Sequence, residues 1–454
     1  MKTIFITILS GNGAKYILRS DIYRTMIKNE EIRLVFFVKN QERTEYYQRE
    51  FNHPRIVFET ISGYKLSVPE RLFSFIKRYL LRSKTIDLKR LRNYEETGNW
   101  LRFLISYLAN RILARPAVRK IIRFLDQHWV KNDQSVPYFE RYHPQMLLVT
   151  DVLDDREAGF IREAKKRKII SVGLILSWDR VTSRWMTRLL TDKYIVHNDI
   201  MKQEMETYCD VKKDKIFISG AIQFDYLKTP LRVSREEFYR QNSISLDNKI
   251  ILFGPVGRTF DKTKELDFGL MEKLNSWIEE KKFGDHELTL IVRFPPNDFV
   301  EIDKLTTFVH VIYQIPGIRF SQKRGADWDM TDEDLELLKE TLHYCSLVVC
   351  FYSSLSIDAA LVDKPVINVN FNIKDKEIIS RPHHYYQSTH YSKALATGGL
   401  KLVKNEQELI EALKKYLENP FLDRAGREEL VRSQCFRADG QSGRRAAEFL
   451  LSWL

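Results

Sequence analysis

Residues 344–370 read YCSLVVCFYSSLSIDAALVDKPVINVN, and the alternation inside this stretch sets the class of fold. The apolar run at 347–351 has the length and β-branched content of a strand buried on both faces of a parallel sheet. It ends in Ser353 and Ser354. Ser354 suits the N-cap of a helix whose apolar face is Ile357, Ala360 and Leu361. That would gather two hydroxyls and the open backbone N–H groups at a helix N-terminus, a setting that attracts anions. Asp358 follows one turn later, about as far from the cap as a ribose lies from its phosphate. Lys364-Pro365 closes the helix before a second strand at 366–369. Such a unit can hold a nucleotide diphosphate; it is also the plain strand–turn–helix–strand of any α/β protein, and both readings stand at this point.

The same alternation extends in both directions. Residues 2–9 read as a first strand, Ser10-Gly11-Asn12-Gly13 as a tight glycine loop, 14–28 as a helix, and 32–38 and 55–60 as strands. GNGAKY lacks the third glycine of a dinucleotide fingerprint, so NAD binding is set aside. Strands are expected again at 146–150, 169–176, 193–197 and 215–219, with helices at 155–167 and 199–208. A polar linker and lead-in helix fill 229–248. A second alternation starts at 250–253 with the loop Gly254-Pro255-Val256-Gly257-Arg258, and continues with strands at 288–293 and 310–313 and a helix at 330–343. No repeat is found. The expected division is 1–228, 245–426 and closing helices at 427–454: two Rossmann-like α/β domains, whose sheets bind ligands at the carboxyl ends of their strands.

At 454 residues and 44 % hydrophobic content the chain can build two or three cores. The cysteines, Cys209, Cys345, Cys350 and Cys435, have no paired spacing and read as reduced structural thiols, with neither zinc nor a disulfide frame. The opening MKTIFITILSGNG fits a first strand better than a signal peptide, and no run of about 20 apolar residues offers a membrane span. A cytoplasmic protein is expected. Charge is unevenly placed: residues 71–131 hold 15 Lys/Arg against 4 Asp/Glu, while the whole chain holds 73 against 61. Such a block is expected to face something anionic. Within it, Leu72, Phe73, Phe75, Ile76, Tyr79, Leu80 and Leu81, and later Trp100, Leu101, Leu104, Leu108 and Ile112, suggest two basic amphipathic helices. They read either as a helical pair with a solvated basic face or as contact with an anionic membrane surface. No nucleic-acid motif accompanies the charge, so no nucleic-acid partner is expected.

Ser353-Ser354-x-x-x-Asp358-Ala-Ala-Leu-x-Asp-Lys-Pro-Val-Ile resembles the C-terminal motif of GT-B glycosyltransferases and, more closely, of the CDP-glycerol glycerophosphotransferase and surface-polysaccharide transferase group. GAIQFDYL at 220–227 and ADGQSGRR at 438–445 are similar to two further segments of that group. The resemblance covers 145–454 well, 1–60 weakly, and the basic insert not at all. It implies a GT-B fold with two domains facing across a cleft, a nucleotide-sugar donor, and a glycan or lipid-linked acceptor. It also implies inverting, metal-independent transfer without a cofactor, with the serines on the donor phosphates and Asp358 on the ribose.

An inverting transferase needs a base for the acceptor hydroxyl and positive groups for the departing phosphate. Asp179, in Ser177-Trp178-Asp179-Arg180, is the leading base because it follows a buried strand; an N-cap role or a pair with Arg180 is the plainer reading. The glycerophosphotransferase group resembles Trp-His-Gly-Thr-Pro at this place, with the histidine as base, whereas other surface-polysaccharide transferases carry Trp-Asp. Asp155 is the substitute base, with Asp154 or Asp155 capping the following helix. For the donor, the set is the Gly254 loop, Arg293, Ser353, Ser354 and Asp358, with Arg258 and Arg319 added. Arg293 leads into Phe294-Pro295-Pro296 where the resembling group has Arg-x-His-Pro, so that histidine is missing. An imidazole would come from His383, His384 or His390 in RPHHYYQSTHY, read as a donor-side lid or an exposed loop. Asp327-Trp328-Asp329 imitates a metal-binding D-x-D but reads as the start of a helix. These features point to sugar transfer onto a surface polysaccharide or lipid-linked glycan. The alternatives are transfer of a polyol phosphate from a CDP-linked donor and a non-catalytic nucleotide-sugar-binding partner.

Overall fold

Seven short β-branched runs of the first half pair side by side: β1 (Lys2–Ile8), β2 (Ile32–Val38), β3 (Ile56–Thr60), β4 (Met146–Val149), β5 (Ile170–Leu174), β6 (Lys193–Val196) and β7 (Ile216–Ile218). In this computed structural model, which describes residues 1–257, 265–296, 298, 300, 305, 308–320, 328–373 and 382–454, all of them run parallel in the order β3-β2-β1-β4-β5-β6-β7. The order reverses between β1 and β4, which opens a crevice at that edge. Alternate residues feed two cores: Ile4, Ile6 and Ile8 enter one, and Phe5 the other. The expected glycine loop is instead the first turn of a helix, Gly11–Ile17. Ser10 caps it by accepting from Gly13 N at 3.2 Å, and a second helix, Asp21–Ile27, restarts at the cap Ser20. Gly13 is needed for the protein's own packing, since a Cβ there would lie 2.9 Å from Thr150 Oγ1.

Contacts divide the chain into Met1–Gln223 with Gln441–Leu454, and Phe224–Gly440. The closing helices therefore separate. Arg424–Cys435 stays with the second unit, while Ser442–Leu451 places Ala446, Ala447 and Leu450 in a core of the first sheet, and Arg445 Nε donates to Ser219 O at 2.7 Å.

Between β3 and β4 the basic segment forms more than the two expected helices: Val68–Ile76, Lys84–Thr97, Trp100–Leu113 and Pro116–Trp129. The breaks are chemical. Ser83 and Asn99 cap new starts, Gly98 ends a helix at φ 67°, and Pro116 opens the last one. At least six of the fifteen cations face carboxylates of the protein itself: Lys77 pairs with Asp155, Arg90 and Arg111 with Asp87, Arg92 with Glu96, and Arg119 and Arg123 with Asp210. Deeper in, the carboxylate of Asp126 accepts from Arg162 at 2.9 Å and from two nitrogens of Arg188 at 2.7 and 2.9 Å. Phe73, Leu80, Leu81 and Ile86 are buried with them, but other apolar side chains go the other way. Leu101, Ile105, Leu108 and Ile112 are 50–61 % exposed along one face of their helix; Val68, Leu72 and Phe75 do the same on the first, and Ile121 and Phe124 on the last.

The second unit repeats the parallel plan with β8 (Lys249–Gly254), β9 (Leu288–Arg293) and β10 (Val311–Gln314). A separate antiparallel pair, β11 (Ile318–Arg319) and β12 (Trp328–Asp329), precedes β13 (Leu347–Cys350), β14 (Val366–Val369) and β15 (Lys401–Val403). The main order is β10-β9-β8-β13-β14-β15. Ile251, Leu290, Val349 and Ile367 build its core with Leu409 and Leu413 of the helix Glu406–Glu418. Asp329 accepts from Met330 N, and Thr331 and Asp334 form a capping box for the helix Asp332–Tyr344.

Asp126→Ala would take the shared carboxylate from two buried guanidinium groups, leaving Arg188 with Asp155 at 3.1 Å and Arg162 with Glu70 at 3.5 Å, so it should lower the unfolding free energy by about 3 kcal/mol in urea denaturation. A loss under about 1 kcal/mol would mean that this pairing does not anchor the insert.

Candidate functional site

In the second unit the carboxyl edge is assembled from β8, β9 and β13. Cys350 lies in register with Gly254, and Phe253 with Val292, so Gly254, Arg293 and the Tyr352-Ser353-Ser354 turn emerge at one edge. Gly254 is required there: a Cβ would stand 2.5 Å from Leu355 Cδ2, at the start of the helix Leu355–Leu361. Ser354 occupies the N-cap position, but its backbone is already helical (φ −67°, ψ −15°) and its hydroxyl makes no capping bond. The neighbouring Ser353 does this instead, accepting from Leu355 N at 3.2 Å. The expected cap is thus shifted by one residue, because a cap hydroxyl reaches the first-turn amides from an extended backbone.

Asp358 is buried on that helix and accepts from Tyr226 Oη at 3.3 Å. Arg293 is buried too, and donates to Gln314 Oε1 and to Asp334 O, both at 2.7 Å. Burial pulls its guanidinium down to about 10, and Tyr226, Asp334 and Asp358 act against that, so it remains a cation at neutral pH. Gly254, Ser353, Ser354, Arg293 and Asp358 are therefore brought together around one sheet edge. Arg319 is placed elsewhere: it stands on β11 and donates to Asp298 O. Arg258 lies outside the described residues. The loop before it is held by the protein itself, since Val256 N and Gly257 N donate to the buried Asp267 carboxylate at 2.7 and 2.9 Å.

Behind the serine turn lies a polar aromatic cluster. Tyr391 Oη sits 2.8 Å from Ser356 Oγ, Asn368 Nδ2 donates to Ser356 Oγ at 3.0 Å, and Tyr352 Oη bonds both Ser388 and His390. The segment expected as a lid or exposed loop forms two helices, Pro382–Tyr386 and Thr389–Leu395, with Tyr386, His390 and Tyr391 buried. The cause is the aromatic spacing in HHYYQSTHY, which serves packing against Tyr352. His384 lies on the first of these helices; of His383 the side chain lies outside the described residues. His390 is seen beside the serine turn, through Tyr352. Tyr226, Ser356, Asn368 and Tyr391 occupied no motif position, although each lay in a segment already singled out: GAIQFDYL, residues 344–370 and RPHHYYQSTHY.

In the first unit, Asp179 begins a single helical turn, Arg180–Ser183, after β5. Its side chain makes no capping bond; instead one oxygen accepts from Ser177 Oγ at 2.5 Å and the other from Ser183 Oγ at 2.8 Å. Arg180 pairs with Asp151 at 3.0 Å. Two hydroxyl donors orient the half-buried carboxylate. Asp154 caps the helix Asp155–Lys166 by accepting from Arg156 N. Asp155 is tied into the insert: it accepts from Ser74 at 2.5 Å, Lys77 at 2.9 Å and Arg188 at 3.1 Å. Burial pushes its carboxyl up, but Lys77, Ser74 and Arg188 together hold it below the usual range. That surrounding suits an anchor more than a base. Nearby Glu157, fully buried, accepts from Thr7 and from Asp151 N; burial first, then Asp151 and Asp154, push its carboxyl well above the ordinary range.

Among the described residues no group of three or more His, Cys, Asp or Glu is arranged to hold a metal ion. All four cysteines are buried and free.

Known structures share this architecture. The UDP-GlcNAc 2-epimerase of Neisseria meningitidis, solved with UDP-GlcNAc bound, is 13 % identical with a TM-score of 0.55, over 100 % of this chain and 100 % of that one. A putative UDP-N-acetylglucosamine 2-epimerase of Listeria monocytogenes is 13 % identical with a TM-score of 0.57, over 100 % and 96 %. The S. aureus MnaA structure with UDP gives 12 % and 0.55, over 100 % and 98 %. At these identities the likeness is one of fold, and the fold is GT-B. No curated protein is close enough to count as a match. The family described as CDP-Glycerol:Poly(glycerophosphate) glycerophosphotransferase matches residues 176–452, which takes in Asp179, the carboxyl edge of the second sheet and the closing helices. The chain belongs to the CDP-glycerol:poly(glycerophosphate) glycerophosphotransferase family.

Proposed function

We propose that this GT-B transferase moves a sugar from a nucleotide-activated donor to a surface-polysaccharide or lipid-linked glycan acceptor, inverting the anomeric centre without a metal ion. Family membership makes it a nucleotide-activated transferase of surface-polymer synthesis; the choice of sugar rests on Asp179. A carboxylate held by Ser177 and Ser183 stands where the resembling glycerophosphotransferases have a histidine base. In this reading Asp179 takes the acceptor's hydroxyl proton as its oxygen bonds the anomeric carbon. The bond to the diphosphate breaks, and a nucleoside diphosphate leaves. Ser353, Ser354 and the Arg293 charge receive the phosphates, and Asp358 the ribose. The second reading, transfer of a polyol phosphate, is favoured by the description of the family itself.

Each part has its own test. UDP, GDP, CDP, CMP and ADP are screened by thermal shift, where about 100 Kd of a true ligand adds about 2.7 kcal/mol of stability. One nucleotide should stabilise the chain, and Ser354→Ala and Asp358→Asn should lose the effect; no stabilisation by any of them would remove the donor site. With the matching donor, sugar transfer releases a nucleoside diphosphate. Release of CMP with a polyol phosphate on the acceptor would establish the second reading. Asp179→Asn should cut turnover by at least about a hundredfold with nucleotide affinity kept. Unchanged function in that variant would favour a binding partner over an enzyme.

The insert supplies the place of action in this reading. Its exposed apolar faces, flanked by Arg102, Arg111 and Arg115, fit the inner face of an anionic membrane. Each apolar side chain gains about 1.5–3 kcal/mol on burial, and each nearby cation about 1 kcal/mol. No helix among the described residues is long and apolar enough to cross a membrane. Co-sedimentation with phosphatidylglycerol vesicles should be lost in a Leu101→Glu, Ile105→Glu, Leu108→Glu triple variant; binding that survives it would exclude this face.

A further inference from the structure

Residues 224–233 run along the second unit as a strap fastened at several points. Lys228 Nζ donates to Leu361 O at 2.9 Å. Lys339, itself buried, donates to Thr229 Oγ1 and Pro230 O, each at 2.8 Å, and Tyr344 Oη donates to Val233 O at 2.5 Å. Leu361 ends the helix that carries Asp358, so the strap is fixed to that helix directly. Within it stands Tyr226, whose hydroxyl meets Asp358 Oδ1 at 3.3 Å.

Arg293 is the cation of this cluster, but two of its nitrogens are directed at Gln314 and the Asp334 carbonyl. It acts on Asp358 through its field, which carries little direction. A carboxylate turns easily about its last torsion, and its roughly four lone-pair sites are useful to a ligand only when that torsion is set. The Tyr226 hydroxyl supplies a directional bond from a fastened segment.

We propose that Tyr226 is a positioning residue for the donor's ribose: it holds the Asp358 carboxylate in the orientation that meets the 2′- and 3′-hydroxyls. The inference rests on the reading of Asp358 as the ribose acceptor. It makes the strap a determinant of selection for ribonucleotides, and it predicts that Tyr226 matters only when those hydroxyls are present.

The test is calorimetric titration of the full chain with UDP and CDP and with their 2′,3′-dideoxy counterparts. The wild type should prefer the ribonucleotide. Tyr226→Phe should reduce that preference about tenfold, the scale of one hydrogen bond to a charged group, with dideoxynucleotide affinity unchanged within about twofold. In an Asp358→Asn background Tyr226→Phe should add nothing. Equal losses for both ligand types, or no loss in Tyr226→Phe while Asp358→Asn abolishes the preference, would overturn the inference and leave the donor site standing. A wild type that binds neither nucleotide, or an Asp358→Asn variant that keeps the ribose preference, would overturn the ribose reading and this inference with it. Should Tyr226→Phe fold poorly, 3-fluorotyrosine at position 226 gives the same decision. Its ¹⁹F signal should move with saturating ribonucleotide and stay in place with the saturating dideoxy form; equal movement or none refutes the role.

Discussion

Parallel pairing throughout the two main sheets obliges successive strands to deliver the chain at one edge and bring it back through a crossover connection. Everything with chemical potential in this molecule follows from that constraint. Asp179 follows β5 and Ser353 and Ser354 follow β13, each at a turn into a helix, and Arg293 closes β9. The price is a buried edge crowded with polar groups, and the protein meets it locally. Ser177 and Ser183 satisfy Asp179; Gln314 and the Asp334 carbonyl satisfy Arg293; Asp267 satisfies the amides of the Gly254 loop.

The insert obeys a different logic. Its Lys77 pairs inward with Asp155 and its Arg119 and Arg123 with Asp210, its own Asp126 takes Arg162 and Arg188, and a row of apolar side chains on each of three helices remains outside. A segment meant only to be solvated would do the reverse, since exposed leucine and isoleucine gain nothing from water. The inward pairs fasten the helices to the first unit, and the outward faces are the ones proposed above to meet a membrane. Asp155 shows how the two halves of the design meet: a residue at the sheet edge serves as a counter-ion for Lys77 of the insert and for Arg188.

Strand placement was legible in the sequence because buried parallel strands are short, continuous and β-branched, and most of the expected runs pair as read. The Ser353-Ser354-Asp358 unit was legible for the same reason. Helix breaks in the insert were not, since amphipathic periodicity runs across Ser83 and Gly98 and only cap geometry separates the pieces. Long-range partners were hidden as well. Nothing in the spacing of Asp155 announces Ser74 or Lys77, and the burial of His390 and Tyr391 depends on Tyr352 nearly forty positions earlier. The cap at Ser354 failed by one residue because the choice between adjacent serines depends on a backbone torsion that residue identity does not determine.

As proposed above, the carboxyl edge of the second sheet holds the nucleotide donor. A crystal structure of the chain soaked with UDP or CDP tests it most directly. The account predicts diphosphate oxygens within hydrogen-bond distance of the Ser353 and Ser354 hydroxyls and ribose hydroxyls on Asp358. A nucleotide bound at any other place in the chain, with this edge left to water, would contradict it.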